Sequence, residues 1–138
     1  ETLALRMERH CDNAIKVAEY LLAHEKVESV HFAGLPSSRH YDLAQKYCDG
    51  KPASLMTFEI KGGFDEAVRF YDALGLFKRL VNIGDAKSLA CHPASTTHRQ
   101  LTEAEQAAAG VTPGMIRLCI GIEHIDDIVA DLDQALSA

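Results

Sequence analysis

Apolar residues recur every three to four positions from the start of the chain. Met7, Cys11, Ile15, Ala18 and Leu22 share one stripe, while Glu8, Arg9, Asp12, Lys16 and Glu19 fall mostly elsewhere. That period predicts one long amphipathic helix. A strand is expected over 27–33, after which Gly34-Leu35-Pro36-Ser37-Ser38 breaks the chain. A short helix over 40–48 ends at the turn signal Asp49-Gly50. From Ser54 to Lys61 the pattern switches to alternation: Met56, Phe58 and Ile60 point one way, and Thr57, Glu59 and Lys61 the other. This is the signature of a half-buried strand.

Gly62-Gly63 ends that strand, and a helix over 65–74 stops at Gly75, a residue suited to a helix C-terminus. Strands are predicted over 78–83 and 88–91. Thr102-Glu103-Ala104-Glu105 reads as an N-cap and first helical turn, with the helix running out at Gly110. Met115 to Ile122 is strongly β-like. The last helix, 125–136, carries Ile125, Ile128, Val129, Leu132 and Leu136 on one stripe, with Asp126 and Asp127 in its first turn, where they complement the helix dipole. Several strands have one polar and one apolar face. The order therefore predicts an α+β fold: a small mixed or antiparallel sheet with helices on one face.

The 138 residues suffice for one compact domain, and no linker or internal repeat divides them. Apolar runs are only a few residues long, so no segment is expected to span a bilayer. The net charge of −6 and the lack of any Lys/Arg stripe argue against a nucleic-acid partner. Cys11, Cys48, Cys91 and Cys119 lie far apart with no CxxC pair, as expected for free thiols in a reducing cytoplasm. The start Glu1-Thr2-Leu3 has no initiator Met and lies already inside an amphipathic pattern, which predicts a piece of something longer.

Candidate chemistry concentrates late in the chain. In the strand after Gly114, Ile116, Leu118, Ile120 and Ile122 occupy the face expected to meet the helices; Met115, Arg117, Cys119 and Gly121 occupy the other. Arg117 is either a solvated surface residue or, if another domain covers that face, a holder for a carboxylate, for which its planar fork is suited. Cys91-His92 with His98 is a single loose cluster rather than the paired ligand sets of a structural zinc site, so no metal is expected. His10, His24, His31, His40 and His124 are dispersed, with surface or capping roles expected. No nucleophile elbow, P-loop or dinucleotide loop is present. Lys87 is the lysine placed most suggestively, yet it reads as a solvated loop residue.

Three segments carry a family resemblance: Leu3-Ala4-Leu5-Arg6-Met7-Glu8-Arg9-His10 with Asn13-Ala14; Asn82-Ile83-Gly84-Asp85-Ala86-Lys87-Ser88-Leu89 running into His92-Pro93-Ala94-Ser95-Thr96-Thr97-His98; and Arg117-Leu118-Cys119-Ile120-Gly121-Ile122-Glu123. In this order and spacing the chain resembles the C-terminal domain of the pyridoxal-phosphate enzymes of cysteine and methionine metabolism, of fold type I. The second segment is most similar to the O-acetylhomoserine sulfhydrylases, which make homocysteine from O-acetylhomoserine and sulfide.

The resemblance implies that residues 1–138 form a substrate-carboxylate-binding domain. Arg117 matches the arginine that grips the substrate α-carboxylate. Asn82 matches a position, often Ser in relatives, that helps orient that carboxylate and the catalytic lysine. Val81 matches a position that is Glu in several cystathionine-handling members, so a ligand without a distal amine is implied. Ser95, Thr96 and Thr97 fall in a loop near the substrate entrance. The family's cofactor-bearing lysine and its phosphate-binding residues belong to a preceding large domain. No catalytic or cofactor-binding residue is therefore expected in this chain, which alone is expected to be inert. A homotetramer is implied for the whole enzyme. Methionine γ-lyases, O-succinylhomoserine sulfhydrylases and a stand-alone amino-acid-binding regulatory module remain the competing expectations.

Overall fold

The computed structural model describes residues 1–138. Five strands, β1 (Val27–His31), β2 (Leu55–Ile60), β3 (Lys78–Arg79), β4 (Leu89–Cys91) and β5 (Met115–Cys119), form one sheet in the order β1-β2-β5-β4-β3. All pairings are antiparallel except β3 with β4, so the sheet is mixed. The helices are α1 (Leu3–Ala23), α2 (Tyr41–Cys48), α3 (Phe64–Ala73), α4 (Glu103–Ala108) and α5 (Ile125–Leu136), with a 3-10 turn at Pro93–Ser95.

Alternation along the strands decides what the sheet buries. Met56, Phe58 and Ile60 of β2 and Ile116 and Leu118 of β5 point to one face. There they meet Ala14, Val17, Ala18 and Leu21 of α1, Ala67 and Phe70 of α3, and Ile128, Leu132 and Ala135 of α5. Phe58 and Phe70 pack edge to face at 5.5 Å between centroids, a geometry that adds to simple area burial. The expected fold class, with helices on one face, is the fold observed. No helix is long and apolar enough to cross a membrane.

Four local expectations are corrected. The buried face of α1 runs His10, Cys11, Asn13, Ala14, Val17, Ala18, Leu21, rotated from the expected stripe, and Leu22 is exposed. Two polar residues on the buried side displace the apparent apolar face. β3 stops at Arg79 because only Lys78 and Arg79 pair with β4; Leu80, Val81 and Ile83 are exposed. β5 ends at Cys119 because the next backbone groups leave the ladder for side chains and loops, as described below. β1 likewise ends at His31, two residues short of the expected 33.

α5 also anchors the turn that launches β3. The Asp131 carboxylate, 9% exposed, accepts hydrogen bonds from Gly75 N (2.9 Å), Leu76 N (2.9 Å) and Phe77 N (3.2 Å). Backbone donors thus balance a buried charge that no ion pair serves.

Candidate functional site

Arg117 sits mid-strand in β5, directly between Thr57 of β2 and Cys91 of β4. Because Ile116 and Leu118 are fully buried against the helices, the twofold period sends Arg117 to the opposite face. Across the sheet the row reads His31, Thr57, Arg117, Cys91. Arg117 is half-buried and takes part in no ion pair or side-chain hydrogen bond within the chain. A guanidinium with all of its donors uncommitted is equipped to receive an external anion.

A depression of about 260 Å³ opens over it, lined by Val81, Cys91, Pro93, Thr97, His98 and Arg117 itself, with no carboxylate. Its far wall is the segment 92–98, whose shape follows from its sequence. Pro93 starts a 3-10 turn, where a missing N–H costs nothing. His92 is fully buried: its Nε2–H donates to the Pro113 carbonyl (2.8 Å), and its Nδ1 pairs with Ser95 Oγ (2.8 Å). Phe64 packs against its ring at 5.1 Å. Thr96 Oγ1 donates to the His92 carbonyl (2.7 Å) and touches Cys91 Sγ (3.3 Å). Gln106 of α4 donates to the carbonyls of Ala94 (3.3 Å) and His98 (2.9 Å). Thr97 Oγ1 and His98 Nδ1 lie 2.8 Å apart at the rim.

Of the three residues singled out as substrate-binding, the structure brings Arg117 and Val81 to one depression. Asn82 does not line it. Asn82 is exposed, with its Oδ1 accepting from Ile83 N (2.9 Å). Of Ser95, Thr96 and Thr97, expected in a loop near the substrate entrance, only Thr97 lines the depression. Cys91, Pro93 and His98 join it; their place follows from pairing across the sheet, which alternation alone does not reveal. His92 is not a metal ligand in waiting, since Pro113 and Ser95 occupy both ring nitrogens, and no group of three His, Cys, Asp or Glu is arranged to hold a metal. His124 caps α5 and His24 accepts from Lys26 N, as expected of dispersed histidines. His10 departs from that expectation: it is 0% exposed, with Nδ1–H donating to the Ile120 carbonyl (2.6 Å) and Nε2 left without a partner.

A larger depression of about 630 Å³ lies beside the turn between β1 and α2, lined in part by His31, Ser37, Ser38, Arg39 and His40. Arg39 Nε there donates to His40 Nε2 (3.1 Å), so its arginine is partly engaged internally. The smaller depression is where the sequence motifs converge.

Loop 80–88 brings Val81 to the site. Asp85 Oδ1 accepts from Lys87 N (3.0 Å), and that backbone bond, chiefly, holds the Asp85 carboxyl below its ordinary range. Gly84 adopts φ +79°, in the left-handed region that favours glycine.

The model of the Cys/Met metabolism PLP-dependent enzymes matches residues 1–137. The chain is 58% identical over 99% of its length to an O-acetyl-L-homoserine sulfhydrylase of Leptospira meyeri, covering 31% of that protein. It is 56% identical over its whole length to one of Corynebacterium glutamicum, covering 32%. It is 48% identical to an L-methionine gamma-lyase of Pseudomonas putida, again over its whole length and 34% of that protein. Among solved structures, a Campylobacter jejuni protein described as an O-acetylhomoserine (thiol)-lyase superposes with a TM-score of 0.92 at 44% identity, over 99% of this chain and 32% of that one. The chain thus spans about a third of the length of the relatives it matches. It belongs to the family of pyridoxal-phosphate-dependent enzymes of cysteine and methionine metabolism.

Proposed function

We propose that this chain is the C-terminal, substrate-carboxylate-binding domain of an O-acetylhomoserine sulfhydrylase, a pyridoxal-phosphate enzyme that makes homocysteine from O-acetylhomoserine and sulfide by γ-replacement. The observation that carries the reading is Arg117: half-buried, without an internal acid, at the floor of a depression that Val81 shares. Relatives named as sulfhydrylases, at 58% and 56% identity, support the choice of reaction.

All seven lysines are exposed and none lines the depression. The residues present therefore do not fit the role of cofactor-bearing lysine, and the cofactor would be held by a preceding, larger domain. Pyridoxal phosphate supplies an electron sink for carbanions next to the substrate amine. This chain's part is recognition. Arg117 takes the α-carboxylate through two parallel N–H···O bonds, fixing the amino acid in one orientation. Val81 presents an apolar wall, which suits an ester side chain and disfavours a distal ammonium that would be desolvated unpaired. Asn82, beside Val81 on the loop, would reach the carboxylate only by turning from the Ile83 amide that its Oδ1 accepts. The whole enzyme is expected to be a cytoplasmic homotetramer acting on small amino-acid substrates.

In the full-length enzyme, Arg117→Ala should raise KM for O-acetylhomoserine by about two orders of magnitude, the scale of a charged pair lost from a shielded site. An unchanged KM removes Arg117 from this role. The methionine γ-lyase relatives motivate a second reading, which product analysis separates: a lyase releases ketobutyrate without added sulfide, whereas the sulfhydrylase yields homocysteine only with it.

A further inference from the structure

The three motif segments meet at a place the recognition reading leaves unused. Beyond Cys119, β5 does not continue as a ladder. Its amides turn instead to Ser54 O from Ile120 N (3.0 Å), Ser88 Oγ from Gly121 N (2.9 Å) and Ala86 O from Ile122 N (2.9 Å). Its carbonyls are held from α1: His10 Nδ1–H donates to Ile120 O, and Asn13 Nδ2 donates to Gly121 O (3.1 Å) and Glu123 O (3.0 Å). The Glu123 carboxylate closes the arrangement on loop 80–88. Its Oε1 accepts from Ser88 N (2.7 Å) and its Oε2 from the Ser88 hydroxyl (2.9 Å). No cation pairs with Glu123. Gly121 is small because a Cβ there would press on Glu123 and come within 2.5 Å of Ala86 O and Ser88 N.

We propose that Glu123 is a positioning residue, a latch that through Ser88 fixes the loop carrying Val81 and Asn82 at its working distance from Arg117. The inference rests on the carboxylate-binding reading above. Between Arg79 and Asp85 the loop packs no large side chain into the core: Leu80, Val81 and Ile83 are all exposed. At its start it hangs from a two-residue strand. At its end it is tied by the Ala86 carbonyl and by the two Ser88 groups that Glu123 accepts. Ser88, His10 and Asn13 are polar yet essentially fully buried. Apolar residues would pack there at less desolvation cost, but they could not specify where the loop leaves the sheet. A satisfied polar network sets one geometry.

The test uses the pyridoxal-phosphate-loaded enzyme that contains this chain, with Glu123→Gln, Glu123→Ala and Arg117→Ala compared. Glu123→Gln keeps the shape and one acceptor for Ser88 N but leaves the Ser88 hydroxyl proton without its oxygen, so it guards against a variant that fails to fold. Displacing binding groups by an ångström costs on the order of 100-fold. The latch therefore predicts that KM for the amino-acid substrate rises about tenfold or more in Glu123→Gln and further in Glu123→Ala, while KM for the sulfur donor stays put. Amide exchange of residues 81–85 should accelerate in parallel. If Arg117→Ala raises the amino-acid KM and both Glu123 variants leave it unchanged, the latch is overturned and the carboxylate reading stands. If Arg117→Ala itself leaves that KM unchanged, the carboxylate reading falls and the latch loses the site it was argued to serve.

Discussion

Asp131 offers the sharpest test of how the fold holds the root of the site loop. One carboxylate on α5 accepts Gly75 N and Gln134 Nε2 at Oδ1, and Leu76 N and Phe77 N at Oδ2. A hydrogen bond to a charged group is worth about 1.5–3 kcal/mol net, but the three backbone bonds do not simply add. Gly75 is exposed and Leu76 half-buried, so water replaces the carboxylate at those amides in an Asp131→Ala variant. Phe77 is buried, and its N–H is left unpaired at about 1–3 kcal/mol. Removing the carboxylate also relieves its own desolvation, which offsets part of the loss. The expected cost is about 2–4 kcal/mol, or a fall in Tm of roughly 8–15 °C for a domain of this size. Asp131→Asn should lose about half as much, because an amide oxygen at the Oδ2 position still serves Leu76 and Phe77. Denaturant melts followed by two probes, with hydrogen exchange at the Phe77 amide, measure this. Asp131→Ala within about 0.5 kcal/mol of the parent would refute the claim that this carboxylate holds the turn.

Glu105 accepts from the Thr102 backbone N–H and hydroxyl in a capping box, and these bonds, the backbone one foremost, hold its carboxyl below the ordinary range. Its folded pKa being depressed, the associated stability is present above the unfolded carboxylate value and is lost as pH falls through the folded one. NMR titration should show Glu105 titrating below a free glutamate, and Thr102→Pro, which removes both the donor N–H and the hydroxyl, should bring it back up. Val81→Glu in the full-length enzyme should improve binding of an amino acid with a distal amine relative to O-acetylhomoserine, by about tenfold or more in competition assays. An unaltered preference would remove Val81 from specificity.

Element types were legible because the apolar period changes cleanly, from about 3.6 in Met7–Leu21 to 2 in Met56–Ile60 and back to about 3.6 in Ile125–Leu136. What period cannot show is a polar residue on a buried face. His10 and Asn13 look like solvent positions in α1, yet both turn inward to hold backbone carbonyls after β5. The same network ends β5 at Cys119, three residues before its apolar pattern runs out. In the site, the direction of Arg117 could be read from alternation in Met115–Ile122. Its meeting with Val81 could not, because β4, the 3-10 turn and α4 intervene along the chain and only sheet pairing brings the two together. Resemblance pointed to Asn82 as a carboxylate partner, whereas its side chain turns to its own neighbour's amide. The role of Glu123 carried no local signal, since an acid just before a helix reads as a solvated charge.

Whether Arg117 receives a carboxylate is decided by a double-mutant cycle between protein and ligand. Binding of a non-reacting amino-acid analogue and of its carboxamide would be measured calorimetrically with the cofactor-loaded parent enzyme and its Arg117→Ala variant. The expected coupling is about 2–4 kcal/mol, with the parent strongly preferring the acid and the variant nearly indifferent. A coupling near zero, with both proteins preferring the acid equally, would contradict it.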